Sequence, residues 1–211
     1  MNLEPGTWNL NPEPGTHSPM TENSKMDNLN QRYPVGPAPR STDPLDDGAR
    51  CALIGVLERA PAALRALVEG LSDRQLETPY RIGGWTIRQV VHHLPDSHMN
   101  AYVRMKLAVT ESSPTIKPYD EASWAELPEA RTAPVTISLD LLEALHRRWI
   151  AFLTALTDAD FRRTFTHPDW GLLTVDQALE MYAWHCRHHI AHVEIGIDRA
   201  RSSTPHVARG K

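Results

Sequence analysis

The sequence predicts an all-α domain, a four-helix bundle preceded by a disordered, proline-rich N-terminal extension. Three observations point there. Four stretches between residues 46 and 200 carry aliphatic side chains at helix spacing. Two related segments, LSDRQLETPY (71–80) and LTDADFRRTF (156–165), each end such a stretch and lead through a loop into a Thr-x-x-Gln cap and a histidine-bearing helix. One helical hairpin therefore looks used twice, and two hairpins face to face make a four-helix bundle. Finally, seven of the 11 histidines fall in the second and fourth stretches, at 92, 93 and 98 and at 185, 188, 189 and 192. A bundle can bring those clusters into contact.

The elements follow in order. Residues 1–44 hold eight of the 17 prolines and few large aliphatics, so they are expected to form a mobile tail that cannot repay its ordering entropy. Met20 and Met26 are alternative starts, and part of the tail is expected to be an over-extended reading frame. The bundle is expected over 45–200, with a flexible tail at 201–211. The first helix (about 46–71) presents Leu53, Ile54, Leu57, Ala60, Leu64, Leu67, Val68 and Leu71, and Pro61 should bend it or split off its last turns. The second opens on a capping box, Thr86 with Gln89, and runs to about Thr110. The third starts near Ser138 and presents Leu141, Leu142, Leu145, Trp149, Phe152, Leu153 and Leu156, with Glu143 and Arg147 as an i,i+4 pair on its wet side. The fourth opens on a second box, Thr174 with Gln177, and continues to about Ala200. Between the second and third, the connector 111–137 is long and proline-rich; DEASWAEL within it reads as a short helix capped by Asp120. A connector of that length is usually functional or loose, and here it is expected to cover the mouth of the bundle.

Composition narrows the function. A chain of 211 residues with net charge −4 and no basic stripe interleaved with aromatics is not built for nucleic acid. No apolar run approaches the roughly 20 residues of a membrane span. The polar, proline-rich start is not a secretory signal. Two cysteines, Cys51 and Cys186, give no disulfide framework, so a reduced cytoplasm is the expected compartment.

Neutral imidazole is a common ligand for catalytic divalent ions, which typically take three protein ligands and keep an open position. His185 and His189 stand one above the other on a helix face. His188 and His192 form a competing i,i+4 pair, and spacing alone does not choose between them. The residue after His185 is Cys186 and not Glu, so the H-E-x-x-H metalloprotease motif is absent. On the second helix His93, Ser97, Asn100 and Arg104 share one polar face, which suits the lining of a site, although a solvated face would look alike. His92 points about 100° away and lies four before Asp96, as a structural or exposed residue. Pro95 removes the hydrogen bond to the Val91 carbonyl. Cys186 points off the ligand face, Tyr182 and Trp184 read as core or pocket wall, and His146 and His167 read as structural.

Over GGWTIRQVVHHLPDSHMN (83–100), PTIKPYDEASWAEL (114–127) and WHCRHHIAH (184–192) the sequence resembles the YfiT branch of the DinB-like superfamily. The likeness spans about 45–197, including the LSDxxL and FxHPD segments. It implies a four-helix bundle, a homodimer, and one divalent ion per chain, zinc foremost and nickel as the alternative, held by three histidines with solvent in the open positions. By motif those ligands are His93, the second His of VVHHL, with His185 and His189 from WHCRHH, in place of His188 and His192. Pro95, Cys186 and Arg187 depart from the Ala, Ser and His of relatives without removing a ligand.

Such a site activates water and polarises carbonyl or phosphoryl oxygens, which makes a metal-dependent hydrolase of a small-molecule substrate the first expectation. No Asp or Glu adjoins a ligand as a base. A thiol S-transferase of the kind that uses a low-molecular-weight thiol such as bacillithiol or mycothiol, which needs no protein base once the thiolate forms, is the alternative. A non-catalytic metal-binding protein is the third, opposed by the open coordination positions, because structural zinc sites are normally closed.

Overall fold

In the computed structural model, which describes residues 27–28 and 30–202, four long helices carry the core. They are α1 (Asp47–Val68), α3 (Ile87–Thr110), α6 (Val135–Leu153) and α8 (Val175–Ser202). Shorter elements lie between them: α2 (Asp73–Leu76), α4 (Glu121–Ala125), α5 (Pro128–Thr132), α7 (Asp158–Phe161), and an antiparallel hairpin of β1 (Thr164–His167) and β2 (Gly171–Thr174).

The starts are set by caps. Asp46 accepts from the Ala49 amide at 2.7 Å. Thr86 and Gln89 bond reciprocally, as do Thr174 and Gln177. The repeated segments behave alike: Ser72–Gln75 and Thr157–Asp160 each form a capping box on a one-turn helix. An isolated antiparallel bridge, Pro79 to Thr86, then follows the first, and the β1–β2 hairpin follows the second. Asp120 caps α4 as expected. No sequence pattern predicts α5, which Pro128 starts at a position where a missing N–H costs nothing.

The helix α1 runs through Pro61 without splitting, which leaves a bend as the remaining form of that expectation. Two other expectations change. Glu143 faces Arg65 of α1, at 3.4 Å, rather than Arg147. And the two hairpins are not side-by-side pairs. Each of α1 and α3 packs along both α6 and α8, so the consecutive helices α1 and α3, and likewise α6 and α8, sit on the diagonals. Cross-contacts set the directions: Arg50 meets Asp176 near the starts of α1 and α8, whereas His93 faces His189 and His98 faces His185, so α3 runs against α8. His92 meets Ser138 and His98 meets His146, so α3 and α6 are parallel neighbours. A parallel pair needs a return path as long as the helix, about 36 Å for the 24 residues of α3. That is the physical reason for the long connector, which returns along α3 and ties itself there by Gln89 Nε2 donating to the Ala125 carbonyl at 2.8 Å.

Of the segment expected to be a mobile tail, residues 32–44 lie against α8. Ser41 Oγ donates to Glu180 at 2.6 Å, Gln177 Nε2 donates to the Ser41 carbonyl, and Trp184 Nε1 donates to the Gly36 carbonyl. Leu45 N and the buried Arg50 guanidinium both bond Asp176. Polar side chains of α8 supply backbone partners that a reading based on apolar content misses. Residues 1–26 and 29 of that tail, and 203–211 of the C-terminal one, fall outside the described residues. Among the described residues no helix is long and apolar enough to cross a membrane.

The core is in two parts. One gathers Leu57, Met105, Trp149, Leu153, Phe165 and Leu179; the other gathers Leu64, Tyr80, Ile87, Val91, Leu142 and Ile197. Between them lies a layer of buried imidazoles.

Candidate metal centre

Helix geometry assembles this layer. His93 projects from α3, and His185 and His189 project from successive turns of α8, which crosses it antiparallel. All three are buried, and one ring nitrogen from each lies within 4.8 Å of the others. His93 Nε2 and His185 Nε2 are 3.3 Å apart. That spacing is about the edge of a tetrahedron whose Zn–N bonds are about 2.0–2.1 Å. Among the described residues His189 Nε2 is buried with no hydrogen-bond partner. An orphaned buried nitrogen is costly unless something fills its lone pair, so the donor set fits a divalent ion. The Trp85 ring, 4.7 Å from that of His93, walls one side.

Electrostatics favour the ligand form. Burial is the largest cause that lowers all three: His93 falls to about 3, and His185 and His189 lie well below the ordinary range, with neighbouring imidazoles adding to the effect. The rings are therefore neutral, as metal ligation requires.

The rival histidines also cluster. His188, His189 and His192 lie within the same 4.8 Å limit, so two groups share His189. His188 stacks on Trp184, and His192 stacks on Tyr80 at 3.8 Å while its Nε2 meets the Arg32 carbonyl at 3.2 Å.

The remaining sequence candidates fall into place. His92 is structural, between Ser138 Oγ at 2.7 Å and the Ala133 carbonyl. The polar stripe divides: Ser97 and Arg104 are buried with His93, but Asn100 turns back and donates to the Asp96 carbonyl at 2.9 Å. Cys186 is buried in the apolar core with its thiol pushed up to about 12, which suits no ligand role. Tyr182 is core and pocket wall, its ring 5.7 Å from that of His185. His167 stacks on Trp170 in the hairpin. Pro95 leaves α3 unbroken.

Sequence reasoning missed four groups. His98 and His146 join the layer: His98 lies 3.0 Å from His185 and 2.7 Å from His146. A signal existed, since His146 interrupts the apolar stripe of Leu142, Trp149 and Leu153. Asp96 and Glu121 are the others. Desolvation, then Glu129, pushes the half-buried Asp96 carboxyl up to about 6, and desolvation pushes Glu121 up to about 7 against the pull of Arg104. Burial raises Tyr119, and Tyr182, Glu121 and Asp96 add to the effect. No local pattern marks a carboxyl that only the connector's return path buries.

Comparison with known proteins agrees with this architecture. Residues 56–193 match the model of the DinB superfamily. YfiT of Bacillus subtilis (strain 168) is 51% identical over 170 residues, 80% of this chain and 94% of that protein. A relative in Bacillus cereus (strain AH820) is 49% identical over 162 residues, 77% of this chain and 92% of that protein. Both carry the name metal-dependent hydrolase as a provisional assignment. The solved B. subtilis YfiT structure, described as a "probable metal-dependent hydrolase with an unusual four-helix bundle topology", covers 81% of this chain and 97% of its own at a TM-score of 0.78 and 49% identity. The family match over residues 56–193 and the likeness over most of both chains lead to one conclusion: this chain belongs to the DinB superfamily.

Proposed function

We propose that the protein is a metal-dependent hydrolase in which His93, His185 and His189 hold one divalent ion, zinc in the first place and nickel as the alternative. The observation that carries this reading is the convergence of three buried, neutral imidazoles from two helices on a space where His189 Nε2 has no partner. His188 Nδ1 is likewise buried with no partner among the described residues, but the trio of His188, His189 and His192 comes from a single helix, and both ring nitrogens of His192 are taken, Nε2 by the Arg32 carbonyl and Nδ1 by His189.

A divalent ion so held polarises carbonyl or phosphoryl oxygens and lowers the pKa of water. The protein's own groups do the rest. The two core clusters exclude solvent above and below the imidazole layer. Asp96 and Glu121, with protons held up to about 6 and about 7, are the carboxyls able to exchange a proton at neutral pH. Arg104, buried and with Nε unpartnered, offers a cation to an anionic part of the substrate.

A second reading, transfer to a low-molecular-weight thiol, draws on one observation: among the described residues no carboxylate bonds any of the three imidazoles. Metal analysis of the purified protein, followed by an ester, amide and phosphoester screen with and without added small thiols, separates the two. Turnover with water alone supports hydrolysis; strict thiol dependence replaces it with transfer, and a protein with no stoichiometric metal sinks both. Pairing of two copies belongs to the same proposal and is read by light scattering.

A further inference from the structure

We propose that two histidine relays, each anchored on a backbone carbonyl, fix the tautomers of His185 and His189 so that both present a bare Nε2 to the site. His98, His146 and His192 then act as positioning residues. The inference rests on the metal reading above only for the identity of what the lone pairs meet.

The first relay begins with a proline. Pro61 has no N–H, so the Leu57 carbonyl one turn earlier lacks its helical donor. His146 Nδ1 takes that place at 2.6 Å. A carbonyl only accepts, so His146 carries its proton on Nδ1, and its Nε2 is left as a lone pair. His98 Nδ1, 2.7 Å away, must therefore donate, which leaves His98 Nε2 bare. That nitrogen lies 3.0 Å from His185 Nδ1, which must donate in turn. Each neutral imidazole has one proton, so His185 Nε2 is a lone pair, and it is the atom that faces His93 Nε2.

The second relay runs the same way from the N-terminal segment. The Arg32 carbonyl, 3.2 Å from His192 Nε2, forces the proton there and leaves His192 Nδ1 as an acceptor. His189 Nδ1 lies 3.3 Å from it and donates. His189 Nε2 is then bare, which accounts for its lack of a partner in a buried setting. All five relay imidazoles are buried, and their hydrogen-bond partners among the described residues are carbonyls and other imidazoles with no carboxylate to hold a charge, so each ring is neutral and has no second proton to break the logic. Two carbonyls thus preset two ligands through three intermediate rings. Hydrogen bonds to the distal nitrogen of a ligating histidine are known to fix tautomer and orientation; here further histidines make them, so neither end of the chain is free to invert.

The test reads tautomers directly. In metal-free protein with 15N-labelled histidine, long-range proton–nitrogen correlation should show His146, His98, His185 and His189 protonated on Nδ1 and His192 on Nε2. An Nε2 proton on His185 or His189 overturns the proposal. Zinc titration supplies the second readout. His98→Leu and His146→Leu should each weaken zinc binding about 10–100-fold. His98→Gln, whose amide oxygen can accept from His185 Nδ1, should stay within a few-fold of the wild type. Wild-type affinity in both leucine variants, with helical content unchanged, also overturns it. Because the tautomers are read without metal, a wild-type protein that shows them yet takes up no zinc sinks the metal reading and leaves the relays standing.

Discussion

Acidification from pH 7 to 5.5 should strip this fold of a large part of its stability, because its centre is made of imidazoles that cannot accept a proton. His93, His98, His185, His189 and His192 are almost wholly buried, and burial holds each far below the ordinary histidine range. In the unfolded chain the same side chains titrate near their usual value, about 6.5. Below that value the unfolded state binds protons that the native state refuses, so stability falls as pH falls. Between pH 7 and 5.5 each such group removes about 1 kcal/mol, or about 5–6 kcal/mol for the five. Asp96 and Glu121 work in the opposite sense. Their raised values let the native state bind protons first, and they return about 2 kcal/mol together, less once the partial exposure of Asp96 is counted. The histidines win by about 4 kcal/mol, against about 5–15 kcal/mol for a whole domain. Thermal melts of chelator-treated protein, followed by far-ultraviolet circular dichroism at pH 7, 6.5, 6 and 5.5, should show Tm falling by about 8–16 °C. A Tm that is flat or higher at pH 5.5 refutes the reasoning, since it requires the layer to take up protons in place.

Three further outcomes follow from particular contacts. His93→Ala, His185→Ala and His189→Ala should each abolish stoichiometric metal in elemental analysis while His188→Ala keeps it; metal retained by His185→Ala sinks the ligand set. Asp176→Ala leaves the buried Arg50 guanidinium without its two-point partner, now bonded at 2.8 and 3.0 Å. The loss of about 3–5 kcal/mol should lower Tm by about 6–20 °C, and an Arg50→Met/Asp176→Leu double variant should recover most of it. Gly196→Ala would set a methyl 2.6 Å from Ile87 Cγ1, in a fully buried contact of α8 with the start of α3. A cost of about 1–3 kcal/mol is expected, relieved by Ile87→Val; a more stable Gly196→Ala protein refutes it.

Much of the fold was legible locally. Thr86 with Gln89 and Thr174 with Gln177 mark helix starts because capping is a contact across three residues, and Asp120 does the same for α4. The apolar stripes found the four long helices within a few residues, since burying one face is what stabilises them. The likeness of 71–80 to 156–165 reappears as matched one-turn helices. In the candidate site, the His185–His189 pair was legible from its i,i+4 spacing alone, although equally so was His188–His192.

What spacing leaves open, long-range geometry decides. The sequence alone determined the helices, their caps and the presence of two imidazole clusters, because each is a matter of local spacing. Only the tertiary structure placed α1 and α3 on a diagonal, made α3 and α6 parallel neighbours, and so required the connector to return along α3 and half-bury Glu121. It also drew 32–44 onto α8, through bonds more than a hundred residues apart in sequence. The same packing brought the Leu57 carbonyl, freed by Pro61, to His146 and the Arg32 carbonyl to His192. A proton's position on an imidazole depends on what the opposite nitrogen meets, and those partners are assembled only when the bundle closes.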